Sequence, residues 1–389
     1  MISTSSFTIT PPGRIEFGRG SLDRLPEAVT SVGRSRAFVV TDRGIAAAGI
    51  LDRVRAVLAA AGLDTGVFAE VEPNPSVATI DEGAARARAF GDAAVVAVGG
   101  GSSLDAAKGI ALLAVNAGAA AELDLAAEPV GPGLPVVAVP TTAGTGAETN
   151  GFGVIEDTGR HCKVYLGHAS VAPRVSLLDP DLTVGLPARA TAATGVDALV
   201  HGIESLTSRG RNPVSEAYAH HAVRLVHHWL PRAVEDGTDR EARAQLLLGS
   251  HLAGLALSIS GLGLVHGIAH ALTAHTGTPH GVALGAVLDH VLAFNLPAST
   301  QEYAQVAVDL GGLGVVEPGA AAAGTVVRVR EFTERLGMRE PLPNLGVTDE
   351  MVPDLVRTAL ADAVTRNNPR TPTPQELTAL LTGLLAEAR

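Results

Sequence analysis

The segment "VVAVGGGSSLDAAKGIA" (95–111) decides the fold, because a strand, a glycine turn and a helix start follow one another without interruption. The β-branched run suits a strand buried on both faces. Gly99, Gly100 and Gly101 let backbone amides approach an anion, and Ser102 or Ser103 is placed to cap the helix that follows. Such a cradle suits a pyrophosphate. It is not the G-x-G-x-x-G fingerprint, since the sixth position is Leu104 and no acidic residue ends a strand about 20 residues later. The acidic strand end comes earlier, at Asp42 in "FVVTDRG".

Around this segment, β-rich runs alternate with alanine-rich helical patterns. "RAFVV" (36–40), "GVFAEV" (66–71), "AAVVAVGG" (93–100) and "PVVAVP" (135–140) read as parallel strands, with helices at 46–62 and 79–91 between them. That alternation predicts a doubly wound α/β domain. A second polar cluster, "PTTAGTGAETN" (140–150), follows the last of these strands and offers hydroxyls and bare amides to a polar ligand. Two such loops at the carboxyl ends of neighbouring strands favour a nucleotide crevice. After "LLDPDLTVGLP" (177–187) the pattern turns helical, with signals at 189–208, 213–234, 239–258, 264–275 and 321–337. The expected organisation is an α/β domain over 1–183 and an all-α domain over 184–389.

Composition narrows the classes. The chain has 389 residues, 46% hydrophobic and 18% charged, which excludes a disordered or coiled-coil protein. A net charge of −11 without a basic run argues against nucleic acid and anionic membrane as partners. One cysteine, Cys162, excludes an internal disulfide and suits a reducing cytoplasm. The first residues lack the basic start and apolar core expected of a signal peptide. The longest apolar stretch, 252–272, is interrupted by glycines, serines and histidines and reads as a buried helix, not a membrane span.

The helical half carries histidines in a pattern. In "TGVDALVHGIESL" (194–206), Asp197 and His201 are four apart and project from one helix face. His266 and His270 repeat the spacing in "LGLVHGIAHALTAHTGTPHG" (262–281), and His280 follows Pro279, where the helix should break. One carboxylate and three imidazoles, from Asp197, His201, His266 and His280, would suit Fe²⁺ or Zn²⁺ and leave a position open for substrate. A Lewis acid there would hold an alcohol oxygen as alkoxide and ease loss of hydride from its carbon.

With these motifs in order, the chain resembles the iron-containing (group III) alcohol dehydrogenases, which include lactaldehyde reductase and butanol dehydrogenases. The resemblance runs through "RIEFGRGSL", "GGGSSLDAAK", "PTTAGTGAE", "DPDLTVGLP", "GVDALVHGIES", "VHGIAHAL", "TPHG" and "NNPRTPTPQEL", and so covers nearly the whole chain. It implies the iron-dependent alcohol dehydrogenase (dehydroquinate synthase-like) fold, with an N-terminal dinucleotide-binding α/β domain, a helical metal-binding domain and the active site in the cleft. It also implies NAD as cofactor and Fe²⁺ or Zn²⁺ on Asp197, His201, His266 and His280. His270 matches a proton-relaying histidine that is not a ligand, and His275 has no implied role. Gly99, Gly100, Gly101 and Ser102 match the pyrophosphate loop. Asp42, Asn74, Asp105, Thr141, Thr142, Thr145 and Lys163 match other cofactor contacts. A homodimer or larger homo-oligomer is implied as well.

Departures from the family pattern lie around the substrate. Asn150 stands at the usual threonine, Leu257 replaces an aromatic residue, Val364 stands where some relatives have cysteine, and Arg366 precedes "NNPR" where small residues are common. Arg366 raises the expectation of a primary alcohol or aldehyde with an acidic tail, against the alternative that it faces solvent. Two further enzymes on the same fold compete: a sugar-phosphate cyclase, which would carry a glutamate for Asp197, and a glycerol dehydrogenase-like zinc enzyme. A non-catalytic metal- or nucleotide-binding protein would not need His270.

Overall fold

The computed structural model describes residues 6–10, 13–122, 131–160, 162–312 and 317–387. They form two compact units, one of Thr10–Leu186 and one built on Pro187–Arg389, so the division falls in the proline-rich connection at Leu186.

The first unit carries strands β1 (Arg14–Phe17), β2 (Arg36–Asp42), β3 (Asp64–Val71), β4 (Ala94–Gly99), β5 (Val136–Pro140), β6 (Phe152–Asp157), β7 (Cys162–Gly167) and β8 (Val175–Leu178). Its helices are α1 (Leu25–Ser31), α2 (Arg43–Ala47), α3 (Ile50–Ala60), α4 (Val77–Phe90) and α5 (Gly101–Leu113). Six strands form one sheet in the order β1-β8-β5-β4-β2-β3, every pairing parallel, while β6 and β7 make a separate antiparallel hairpin. Strict alternation of side chains splits the sheet residues between two cores. Phe38, Val40, Val95, Ala97, Val136 and Ala138 pack with α4 and α5 on one face. Ala37, Val39, Ala94, Val96, Val137 and Val139 pack with α1 and α3 on the other. Each fully buried Val contributes roughly 1.5–3 kcal/mol. Burial on both faces is why these strands read as unbroken apolar runs.

The strand order has a functional consequence. From β2 the chain crosses to β3 on one side, whereas from β4 it crosses to β5 on the other. The reversal lies between β2 and β4, so the loops leaving their carboxyl ends diverge and open a crevice there. Asp42 ends one of these strands and Gly99 the other.

The second unit consists of α6 (Ala188–Thr207), α7 (Pro213–Glu235), α8 (Arg240–Ser260), α9 (Leu264–Thr276), α10 (His280–Asn295), α11 (Thr300–Asp309), α12 (Pro318–Arg335), α13 (Val352–Ala361) and α14 (Pro374–Ala386). Capping boxes start α7, at Asn212 and Ser215, and α14, at Thr373 and Glu376, each with proline at the first helical position. The apolar stretch 252–272, expected as one buried helix, is the end of α8 and the start of α9, which meet at 103°. Gly261, at φ 73°, ends α8, and the chain turns before α9 begins. α10 with its following turn reaches a mean hydropathy of 1.4, yet 67% of that window is buried inside the fold, as in a core helix.

Candidate active site

In the first unit, the loops after β4 and β5 lean on each other. Gly99 has φ 145°, a conformation that favours glycine. A Cβ on Gly100 would lie 3.2 Å from the Thr142 methyl, and one on Gly101 would lie 2.5 Å from that of Thr145. The glycines therefore let the threonine loop close against the start of α5, in addition to baring their amides. α5 begins at Gly101 with no side-chain cap, so the expected serine cap does not form. Ser103 Oγ instead donates to Asp42 Oδ2 at 2.9 Å, and Ser102 Oγ accepts from Asn74 N at 3.3 Å.

Asp42 is doubly engaged, since its Oδ1 also accepts from Ile45 N at 2.9 Å and caps α2. Asn74 holds φ 53°, a left-handed value rare outside glycine, and its Oδ1 accepts from Lys163 Nζ at 3.2 Å. Asp105 Oδ2 accepts from Val154 N at 3.0 Å and its Oδ1 from Lys108 Nζ at 3.2 Å. Lys108 is buried, with Asn150 Oδ1 at 3.0 Å and the Phe152 carbonyl at 2.6 Å. Burial lowers its pKa while Asp105 opposes the shift. Asn150 is thus bonded to Lys108, inside the α/β unit. Thr141 lies buried just past β5, its amide donating to the Gly99 carbonyl at 2.9 Å.

In the helical unit, Asp197 and His201 face one way from α6, and His266 and His270 project from α9. His280 opens α10 just after Pro279, as the break signal predicts. The Nε2 atoms of His201, His266 and His280 lie 3.1, 3.5 and 3.7 Å from Asp197 Oδ1. Side-chain exposure is 5% for Asp197, 6% for His201, 2% for His266 and 29% for His280, so the cluster is closed on three sides and open at His280. Burial favours a neutral Asp197, but the charges of His201, His280 and His266 hold it below the usual carboxylate range. Burial likewise opposes charge on His266, yet Asp197 and Glu204 push it up to about 9.

A divalent cation fits this donor set. Asp197 Oδ1 and His266 Nε2 are buried and make no hydrogen bond, an arrangement costly for a polar atom unless something else is bound there. Ligand atoms of Asp197, His201 and His266 lie within 4.8 Å of one another, close enough to share one ion.

Two carboxylates escaped the sequence reading. Glu204 is buried; its Oε2 accepts from His266 Nδ1 at 2.6 Å and Gly263 N at 3.1 Å, and its Oε1 from Val265 N at 2.7 Å. With Nδ1 committed, His266 turns Nε2 towards Asp197. The signal was present, because Asp197, His201 and Glu204 follow i, i+4, i+7 spacing on one stripe of α6. Asp362 accepts from His270 Nδ1 at 2.8 Å across 92 residues, and nothing local announces it. Leu257 is buried in α8, Val364 half-buried and Arg366 exposed in the 3-10 turn Ala363–Asn367. His275 sits on the exposed side of α9, with Nε2 3.0 Å from Thr358 Oγ1.

Residues 12–180 match the family described as iron-containing alcohol dehydrogenase, and residues 191–385 match the Fe-containing alcohol dehydrogenase family, C-terminal. The chain is 35% identical over 376 residues to the NAD-dependent methanol dehydrogenase of Bacillus methanolicus, covering 96% of this chain and 98% of that protein. The crystal structure of a 1,3-propanediol oxidoreductase superposes with a TM-score of 0.93 at 34% identity, covering 98% of this chain and all of that one. A sulfoacetaldehyde reductase from Bifidobacterium kashiwanohense in complex with NAD⁺ superposes with a TM-score of 0.88 at 30% identity, covering 98% and 99%. The chain belongs to the iron-containing alcohol dehydrogenase family. Its activity is that of an NAD-dependent, metal-dependent oxidoreductase on CH–OH groups, interconverting an alcohol and its aldehyde.

Proposed function

We propose that Asp197, His201, His266 and His280 together hold one divalent ion, Fe²⁺ being typical of the family, and that a primary alcohol or its aldehyde reacts beside it. The observation that carries this reading is the convergence of three imidazole nitrogens on one buried carboxylate oxygen. When bound, the ion supplies a Lewis acid that stabilises negative charge on the substrate oxygen, and NAD⁺ supplies the hydride acceptor. His201 and His266 act as neutral donors through Nε2, with Glu204 fixing the tautomer of His266. His270, with Nδ1 held by Asp362, exchanges the hydroxyl proton at Nε2. The amides of Gly99–Gly101, with Ser102 and the threonines of the following loop, take the pyrophosphate, and Asp42, Asn74, Asp105 and Lys163 complete the nucleotide site. Asp42 accepts from the adenosine ribose and repels a 2′-phosphate, which sets NAD above NADP.

For the substrate, we propose an aldehyde with an anionic tail recognised by Arg366. Support comes from its exposed guanidinium, four residues after the Asp362 that holds His270, and from the sulfoacetaldehyde named for one relative. NADH oxidation is followed with neutral and anionic aldehydes of equal length, with and without chelator, for the wild type and Arg366→Ala. The proposal expects chelator to abolish turnover and Arg366→Ala to raise KM for the anionic series alone. An equal response to both series removes the anionic tail. Turnover that survives complete removal of metal removes the metal mechanism.

A further inference from the structure

The motif "NNPR" (367–370) has no part in the chemistry above, yet it touches the start of the helix that carries His266 and His270. We propose that Asn368 is a positioning residue for the metal site: it fixes the amino end of α9, and through it the direction of His266. This rests on the reading of His266 as a metal ligand.

α9 begins after Gly263, which has no side chain to cap it. Its first amides are met from outside: Leu264 N donates to Asn368 Oδ1 at 3.1 Å, and its neighbours Gly263 and Val265 donate to Glu204. Glu204 also holds His266 Nδ1, so the helix start and the ring share one anchor, and Asn368 is the second.

Asn368 is itself immobilised. It is 1% exposed, and its Oδ1 also accepts from Asn295 Nδ2 at 2.9 Å. Its Nδ2 donates to Asn295 Oδ1 at 2.7 Å and to the Arg370 carbonyl at 2.6 Å. One backbone donor and one backbone acceptor settle which end of the amide is oxygen. Every hydrogen-bonding position of this side chain is therefore used, which makes it a stiff strut between α10 and α9.

The preceding turn presses on the same helix. A Cβ on Gly267 would lie 2.0 Å from Thr365 Oγ1, and one on Gly261 would lie 2.4 Å from Asn367 Nδ2. Gly267 stands immediately after His266, so the bare backbone there is what lets the turn seat against the ligand-bearing segment.

The test uses the full-length protein loaded with Co²⁺, whose visible absorption reports ligand geometry. Asn368→Asp keeps the acceptor for Leu264 N but loses both donors, and Gly267→Ala unseats the turn from the other side. Changes of groups that orient a ligand typically cost about 10–100-fold in metal affinity. We expect Co²⁺ affinity to fall by that order in each variant, with an altered Co²⁺ spectrum and unchanged NADH binding by fluorescence. A lowered melting temperature with unchanged Co²⁺ affinity and spectrum would make Asn368 merely structural and overturn the proposal. His266→Ala separates the two readings: if that variant keeps its Co²⁺, the ligand assignment fails. If it loses Co²⁺ while Asn368→Asp and Gly267→Ala bind normally, only the positioning role fails. Where Asn368→Asp does not fold, Gly267→Ala and the double variant Gly267→Ala/Thr365→Ala decide. The second should recover affinity because Thr365 Oγ1 is gone; an affinity that Gly267→Ala leaves unchanged, or that the double variant does not restore, overturns the proposal.

Discussion

Glu204 binds α6, the start of α9 and the His266 ring with one carboxylate, and this is where the metal site gains its rigidity. Glu204→Gln keeps the shape but removes the charge that favours a donating Nδ1 on His266. Metal affinity should fall by about 10–100-fold, read by elemental analysis after dialysis against graded chelator. Unchanged affinity would mean that the charge of Glu204 is not what orients the ring. Asp42 raises a different question, since its oxygens already cap α2 and accept from Ser103. Asp42→Gly would confound cofactor choice with the loss of the cap on α2 and of the Ser103 hydrogen bond. Asp42→Asn retains acceptor geometry at Oδ1 and removes the charge. If the carboxylate repels a 2′-phosphate, kcat/KM with NADPH should rise relative to NADH, by an amount set by roughly 1–4 kcal/mol between charges about 4 Å apart. An unchanged ratio would leave Asp42 as a cap only.

At the scale of elements, the carboxyl end of β3 and the start of α4 form one hydrogen-bonded corner next to Asn74. Thr79 Oγ1 donates to Glu72 Oε1 at 2.8 Å and Ser76 N donates to the same oxygen at 3.2 Å, while Ser76 Oγ caps Thr79 N. Hydrogen bonds from Ser76 and Thr79 lower the Glu72 pKa against a weaker opposing effect of burial. Because the folded value lies below the ordinary 4.5, the stabilisation is present above that pH and is lost as pH falls through the depressed value. The melting-temperature gap between wild type and Glu72→Gln should therefore be open at about pH 7 and close by roughly pH 3. A gap independent of pH would assign the difference to shape and not to charge. The corner also explains why α4 starts at Val77, two residues before the expected 79, since Ser76 supplies the cap.

At the scale of the molecule, the proposed metal and nucleotide sites lie in separately cored units, so removing the metal should be felt unevenly. Any ligand that binds only the folded state stabilises it by about 4 kcal/mol at a thousand times its Kd. Chelation should lower the unfolding temperature of the helical unit in calorimetry, while NADH fluorescence titrations still show the α/β unit binding. Loss of NADH binding on chelation would tie the two units into one cooperative system.

The parallel sheet was legible from the sequence because its strands are buried on both faces and therefore spell continuous apolar runs. β1 and β8 were not, because each is only four residues long, and β6 and β7 were not, because buried and half-buried positions alternate along them. Asp197, His201, His266 and His270 were legible because i, i+4 spacing makes neighbours on a helix whatever surrounds it. By itself the sequence determined the α/β unit, the change to helices near 187, the glycine turn and the histidine pairs, all consequences of local periodicity. Only the tertiary structure decided that α8 and α9 meet at 103°, that His280 Nε2 comes within 3.7 Å of Asp197, that Glu204 and Asp362 accept from His266 and His270, and that Asn368 accepts from Leu264 N at the start of α9. Those contacts join residues 62 to 104 positions apart or lie across a break between helices, and no short-range pattern encodes a distance that folding alone closes.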